Sequence, residues 1–218
     1  MREAFHEQLD SVFEDLAAIA RLVEGAVRLG TEALLTGDAE IAEQVISADV
    51  EVDRARERVE DKAFQLLSLQ QPVAGDLRMI VAALRMVSEL ERMGDLSVHV
   101  AKIARLRVPA VAVPEELRPV MERMAETAED MVRRVRSIIV DRDVDAAIEL
   151  GRDDEIMDQL RRRSFTELLS TDWTHGVEAA VDIALLGRYY ERIADHAVSV
   201  GNRVVFVVTG QFPVSAQA

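Results

Sequence analysis

Apolar residues recur every three or four positions through almost the whole chain, a period that fits long amphipathic helices and little else. Phe5, Leu9, Val12, Leu16, Ile19, Val23 and Val27 form the first stripe. Gly37-Asp38 supplies a helix stop and then an N-cap. Ile41, Val45, Val52, Val59, Ala63 and Leu66 form a second stripe, which ends near Gln70-Gln71-Pro72. A third helix is expected to start within 72–76, to bury Leu77, Val81 and Val98 with Ile80, Leu84 and Val87, and to run to Arg107. Val108-Pro109-Ala110-Val111-Ala112-Val113-Pro114 then breaks the period with two prolines, and Pro114-Glu115-Glu116 is a good helix start.

The second half replays the first. Leu117, Met121, Met124, Ala128, Met131 and Val135 make one stripe, Asp141-Arg142-Asp143 turns the chain, and Val144 to Ser170 makes a further helix. Thr171 to Gly176 is the next turn, followed by a long helix to Gly210. The repeat survives residue-by-residue comparison: Asp38 and Asp53 match Asp143 and Asp158, both 105 apart, and Glu91-Arg92-Met93-Gly94-Asp95 matches Glu191-Arg192-Ile193-Ala194-Asp195, 100 apart. The expected fold is all-α, a tandem repeat of two antiparallel three-helix bundles over 1–107 and 114–210.

Composition narrows the function classes. A net charge of −14 argues against a nucleic-acid partner and an anionic membrane surface. With no cysteine, disulfides and thiolate metal sites are impossible. Acids interrupt the segment Met1-Arg2-Glu3-Ala4-Phe5-His6-Glu7 where a signal peptide needs an apolar run, and Val204 to Val208 is far short of a membrane span, so a soluble protein is expected. The sequence contains no Gly-rich phosphate loop, nucleophile elbow or zincin helix, and an enzyme is not expected. The methionines from Met121 to Met131 and the Val204 to Val208 tail are read as surplus apolar surface for a homodimer.

Four acidic pairs stand out: Asp49 with Asp53, Glu91 with Asp95, Asp154 with Asp158, and Glu191 with Asp195. The i, i+4 spacing places both carboxylates of a pair on one helix face, where they repel unless solvent, a basic side chain or a cation joins them. If the second and third helices of each copy are neighbours, each copy gathers four carboxylates, an oxygen-rich site for Mg, Mn, Fe or Zn. The alternative is a solvated or arginine-paired face. His99 and His196 are secondary candidates to complete a shell. A di-metal oxidase in a ferritin-like bundle is the catalytic rival, but it needs Glu-x-x-His motifs, and neither histidine follows a glutamate by three.

The strings Gln70-Gln71-Pro72-Val73-Ala74-Gly75-Asp76-Leu77-Arg78, Glu91-Arg92-Met93-Gly94-Asp95 and Glu191-Arg192-Ile193-Ala194-Asp195-His196-Ala197 resemble the PhoU family, in this order and across nearly the whole chain. The resemblance implies acidic motifs that bind metal clusters in some members. It also implies a cytoplasmic negative regulator of phosphate homeostasis, with a phosphate ABC transporter ATPase subunit and a phosphate-sensing histidine kinase as partners. Asp76-Leu77-Arg78 has no counterpart in the second copy, where Glu178-Ala179-Ala180 falls near that place.

Overall fold

The computed structural model describes residues 2–213; Met1 of the N-terminal segment lies outside them. Six helices follow in order: α1 (Arg2–Thr36), α2 (Ala39–Gln70), α3 (Gly75–Arg107), α4 (Arg118–Asp141), α5 (Val144–Leu168) and α6 (Gly176–Thr209), with a short 3-10 turn at Glu115–Leu117. No strand occurs among the described residues. The architecture is two three-helix bundles in tandem, α1–α3 and α4–α6.

Local chemistry sets the ends. Gly37, with φ of 68°, closes α1 in a left-handed conformation that costs glycine little. Asp38 Oδ1 then accepts from the amides of Glu40 and Ile41 at 2.8 and 3.0 Å, and Asp143 repeats the cap by accepting from the amide of Ala146 at 3.0 Å. Arg142 adopts a left-handed conformation at the end of α4, where its guanidinium lies 4.9 Å from the Phe13 ring centre and donates to Asp10. The α4–α5 turn is thereby tied to α1.

Within each bundle the helices pack on both neighbours, and α1 also packs on α4 while α3 packs along α6. The two repeats therefore share one apolar core. Glycine permits the closest approaches. A Cβ at Gly30 would lie 3.2 Å from the Ser97 carbonyl, and one at Gly201 would lie 3.1 Å from the Ala147 carbonyl, so larger residues would push α1 from α3 or α6 from α5.

Polar contacts register the two repeats. Thr31 Oγ1 donates its only proton to the Val27 carbonyl, so the buried Tyr190 hydroxyl is the donor in its 2.8 Å bond to Thr31. Arg107 grips the buried Asp182 carboxylate with two bonds of 2.5 and 3.0 Å and also meets Glu178. At the far end of the same helix pair, the Arg78 guanidinium lies 5.8 Å from the Phe206 ring centre, and His6 sits 3.5 Å from Asp76. The Asp76-Leu77-Arg78 element, present only in the first repeat, thus fastens the start of α3 to α1 and to the end of α6.

Two expectations are corrected. Leu77 and Val81 are each 40% exposed, because α3 turns Ile80, Ala83, Val87 and Leu90 into the core instead. The methionines Met121, Met124 and Met131 and the valines Val204, Val205 and Val207 are buried, so they offer no face for a homodimer; of that tail only Val208 is an exposed large hydrophobe. Both runs are consumed by the core.

A shared core predicts shared unfolding. Leu90→Ala, in α3, removes a fully buried side chain and should cost about 2–5 kcal/mol. The fluorescence of Trp173, the only tryptophan, reports on the second repeat, and its denaturant midpoint should fall together with that of far-ultraviolet dichroism. Two separated transitions would contradict one cooperative core.

Candidate metal centre

The antiparallel packing of α2 on α3 brings the first two acidic pairs to one groove. Gly94 makes this possible: a Cβ there would sit 3.4 Å from Val52 and 3.8 Å from Asp49 Oδ1. Val52 is buried beneath the groove, while Asp49 and Glu91 are half-buried and Asp53 and Asp95 exposed at its lip. Burial foremost, then the charges of Asp95 and Asp53, raises the Asp49 carboxyl above its ordinary range, against the pull of Lys102 and His99. Burial and Asp95 likewise raise Glu91, with Asp53 adding and Arg56 and Arg92 opposing. None of these four carboxylates forms an ion pair among the described residues.

The second groove, between α5 and α6, differs. Asp154 is raised to about 6 by burial and by Asp195, Asp158, Glu191 and Glu155. Glu191, however, is buried and receives two guanidiniums, Arg188 in close contact and Arg161 at 3.4 Å. Arg162 stands 3.6 Å from Asp158. Burial and Asp195 still raise Glu191, with Arg188 and Arg161 working against them. Arginines of the same chain therefore neutralise part of the second quartet, and Asp154 and Asp195 form no ion pair among the described residues.

The donor chemistry of the first quartet fits a hard or borderline cation: four carboxylates, repelling one another and forming no ion pair among the described residues. Among the described residues no three acidic or histidine groups already stand at ligating separation, so rotation of these side chains would have to close a shell. In the second groove a cation would have to displace Arg161 and Arg188 from Glu191 as well. Of the two histidines, His196 Nδ1 is 2.6 Å from Glu89 Oε2, and His99 stacks on Tyr189 with ring centres 5.3 Å apart. Neither belongs to a ligating group of three among the described residues.

Both repeats match one family model. The PhoU domain covers residues 16–104 and again 121–204. The chain belongs to the PhoU family. It is 46% identical over 213 residues to the phosphate-specific transport system accessory protein PhoU homolog 2 of Mycobacterium tuberculosis, spanning 98% of this chain and all of that one. A PhoU homolog of Deinococcus radiodurans bearing the same accessory-protein name is 32% identical over 96% of this chain and 99% of its own. Among solved structures, PhoU from Pseudomonas aeruginosa superposes with a TM-score of 0.88 at 26% identity, covering 95% of this chain and 100% of that one. PhoU from Streptococcus pneumoniae, at 23% identity, shares the fold with a TM-score of 0.86 over 96% of this chain and 99% of that chain.

Sequence reasoning brought the acids of each PhoU repeat to one groove and allowed for an arginine-paired face, but it did not point to Arg161 or Arg188. Arg188 precedes Glu191 by three residues, a helical pairing visible in the sequence; Arg161 lies on another helix and left no local signal.

The raised Asp154 carboxyl makes a prediction for chelator-treated protein. A carboxyl raised on folding destabilises the native state while ionised, so the cost is full above about pH 6 and fades as pH falls toward 3.8. Asp154→Asn should therefore raise the melting temperature by about 2–4 °C at neutral pH, for a gain of about 1 kcal/mol after allowance for solvent screening. The difference should disappear in calorimetry below pH 4.

Proposed function

We propose that this chain is a cytoplasmic negative regulator of phosphate uptake and of phosphate-starvation signalling. It acts through contacts with the ATPase subunit of a phosphate ABC transporter and with a phosphate-sensing histidine kinase, not through catalysis. The observation that carries this reading is a PhoU domain in each repeat, joined to nearly full-length identity with relatives named as accessory proteins of phosphate transport. No described helix is long and apolar enough to cross a membrane, so membrane association would come through the transporter.

The surface supports contact with partners. Val177, Val181 and Leu185 on α6 are exposed at positions equivalent to 77, 81 and 85 on α3, where Leu77 and Val81 are also exposed. Positions 77 and 81 on α3, and 177 and 181 on α6, lie within about 80° of the acids of the same helix, about three to five turns on. Each repeat thus presents an apolar strip leading into a carboxylate groove. The first groove, built from Asp49, Asp53, Glu91 and Asp95, would hold Mg, Mn, Fe or Zn through carboxylate oxygens, and the ion would supply positive charge that holds α2 and α3 together. The second, built from Asp154, Asp158, Glu191 and Asp195, would take a cation more weakly because of its arginines. This asymmetry favours a metal-free adaptor role for the second repeat.

Four outcomes are expected. The transporter ATPase and the kinase should co-purify with the tagged chain at high phosphate, and deleting its gene should leave starvation genes expressed in rich phosphate; capture of neither partner at low or high phosphate refutes the reading. Chelation of metal-replete protein should lower the melting temperature by about 5–10 °C if metal was a hundredfold above its Kd. Glu91→Ala with Asp95→Ala should remove metal from the first groove, measured by elemental analysis, while leaving helical content intact. Unchanged metal content in that variant, or none in the wild type, would leave the grooves without a cation role.

A further inference from the structure

Where α3 crosses α6, a cavity of about 170 Å³ opens between the two repeats, lined among others by Arg92, Asp95, His99, Tyr189, Arg192 and His196. Arg92 and Arg192 are equivalent positions of the repeat, 100 residues apart, so the internal symmetry delivers two guanidiniums to one place. Among the described residues neither forms an ion pair or a side-chain hydrogen bond with the protein. Arg107, Arg161 and Arg188 on the same pair of repeats are all engaged with carboxylates.

His196 is the second observation. Its Nδ1 meets Glu89 Oε2 at 2.6 Å, a hydrogen bond from one repeat to the other. A carboxylate oxygen accepts, so this contact sets the ring hydrogen on Nδ1. The other ring nitrogen, Nε2, is buried and has no hydrogen-bond partner among the described residues, an orphaned polar atom that a bound group would satisfy. Only one carboxylate lines the cavity, that of the exposed Asp95. The lining carries two guanidiniums, with the Glu89 carboxylate behind His196, in a chain of −14.

We infer that this cavity binds a small protonated oxyanion, of which hydrogenphosphate is the prototype, free or as the phosphate of a small monoester. Guanidinium pairs suit such an ion because its oxygens accept in the plane of the fork. Its P–OH can in turn donate to Nε2 of the Nδ1–H tautomer, an interaction that fully ionised sulfate cannot make. The cavity, about 170 Å³, is well below the roughly 300–1,000 Å³ of drug-sized sites and suits an ion or small ester group. A ligand seated there touches α3 and α6 together and would bias the packing of the two repeats. The pocket is independent of the regulatory reading: phosphate binding can fail while partners are still captured, and the reverse.

Calorimetric titration of the chelator-treated full chain with inorganic phosphate at neutral pH and constant ionic strength tests it. One saturable site per chain is expected, with sulfate binding weaker. Arg92→Gln with Arg192→Gln should weaken phosphate by about tenfold or more, and His196→Gln should bring phosphate and sulfate closer together. Arg92→Lys with Arg192→Lys, which keeps the charge and loses the fork, should retain part of the affinity. Melting temperatures of the variants report that they fold. Glycerol phosphate binding more tightly than phosphate would identify a monoester as the ligand, and the reverse order identifies the free ion. Absence of saturable binding by wild type up to tens of millimolar, or equal binding by wild type and the folded double glutamine variant, overturns the inference.

Discussion

The packing of α3 along α6 governs the rest of the molecule. Each of these helices is also covered by the two other helices of its own bundle, so each is buried on three sides and keeps one narrow strip at the surface. Leu90, Met93, Gly94, Ser97 and Ala101 on α3, and Leu186, Tyr190, Ile193, Ala194 and Ala197 on α6, lie in the shared interior. Small residues at 94, 97, 101, 194 and 197 let three neighbours approach at once, and the strong burial of their backbones is offset by intact helical hydrogen bonding. What remains exposed is where polar chemistry can be carried.

Those strips are divided between two uses by azimuth. On α3, Glu91 and Asp95 border α2 and gather with Asp49 and Asp53, whereas Arg92 and His99 border α6 and line the inter-repeat cavity. One residue of sequence, about 100° of rotation, separates an acidic groove from a basic cavity. Opposite charges on adjacent edges of one helix also limit self-repulsion in a strongly acidic chain. Asp95 stands at the border and takes part in both environments.

Duplication did not produce two equal halves. The aspartate caps at 38 and 143, two acidic pairs and an exposed apolar strip are kept in each repeat. Glu191 has acquired Arg161 and Arg188, its counterpart Glu91 has no ion pair among the described residues, and only the first repeat has the arginine at 78 that reaches Phe206. The shared core tolerates such divergence because it depends on apolar volume along the stripes, not on the groove residues.

Periodicity, Gly37-Asp38, the two-proline connector and the internal offsets were enough to determine six helices, their turns and the tandem repeat, because caps, turns and amphipathic stripes are local properties of the chain. Pairing of the acids across α2 and α3, and across α5 and α6, was also legible, since short connections make consecutive helices neighbours. Only the tertiary structure decided that Leu77 and Val81 face outward, that Met121 to Met131 are core, that Arg161 reaches Glu191, and that Arg92, Arg192 and His196 share a cavity. Helical spacing states which residues lie on one face of one helix; which faces meet between helices far apart in sequence is settled by packing all six around a single core.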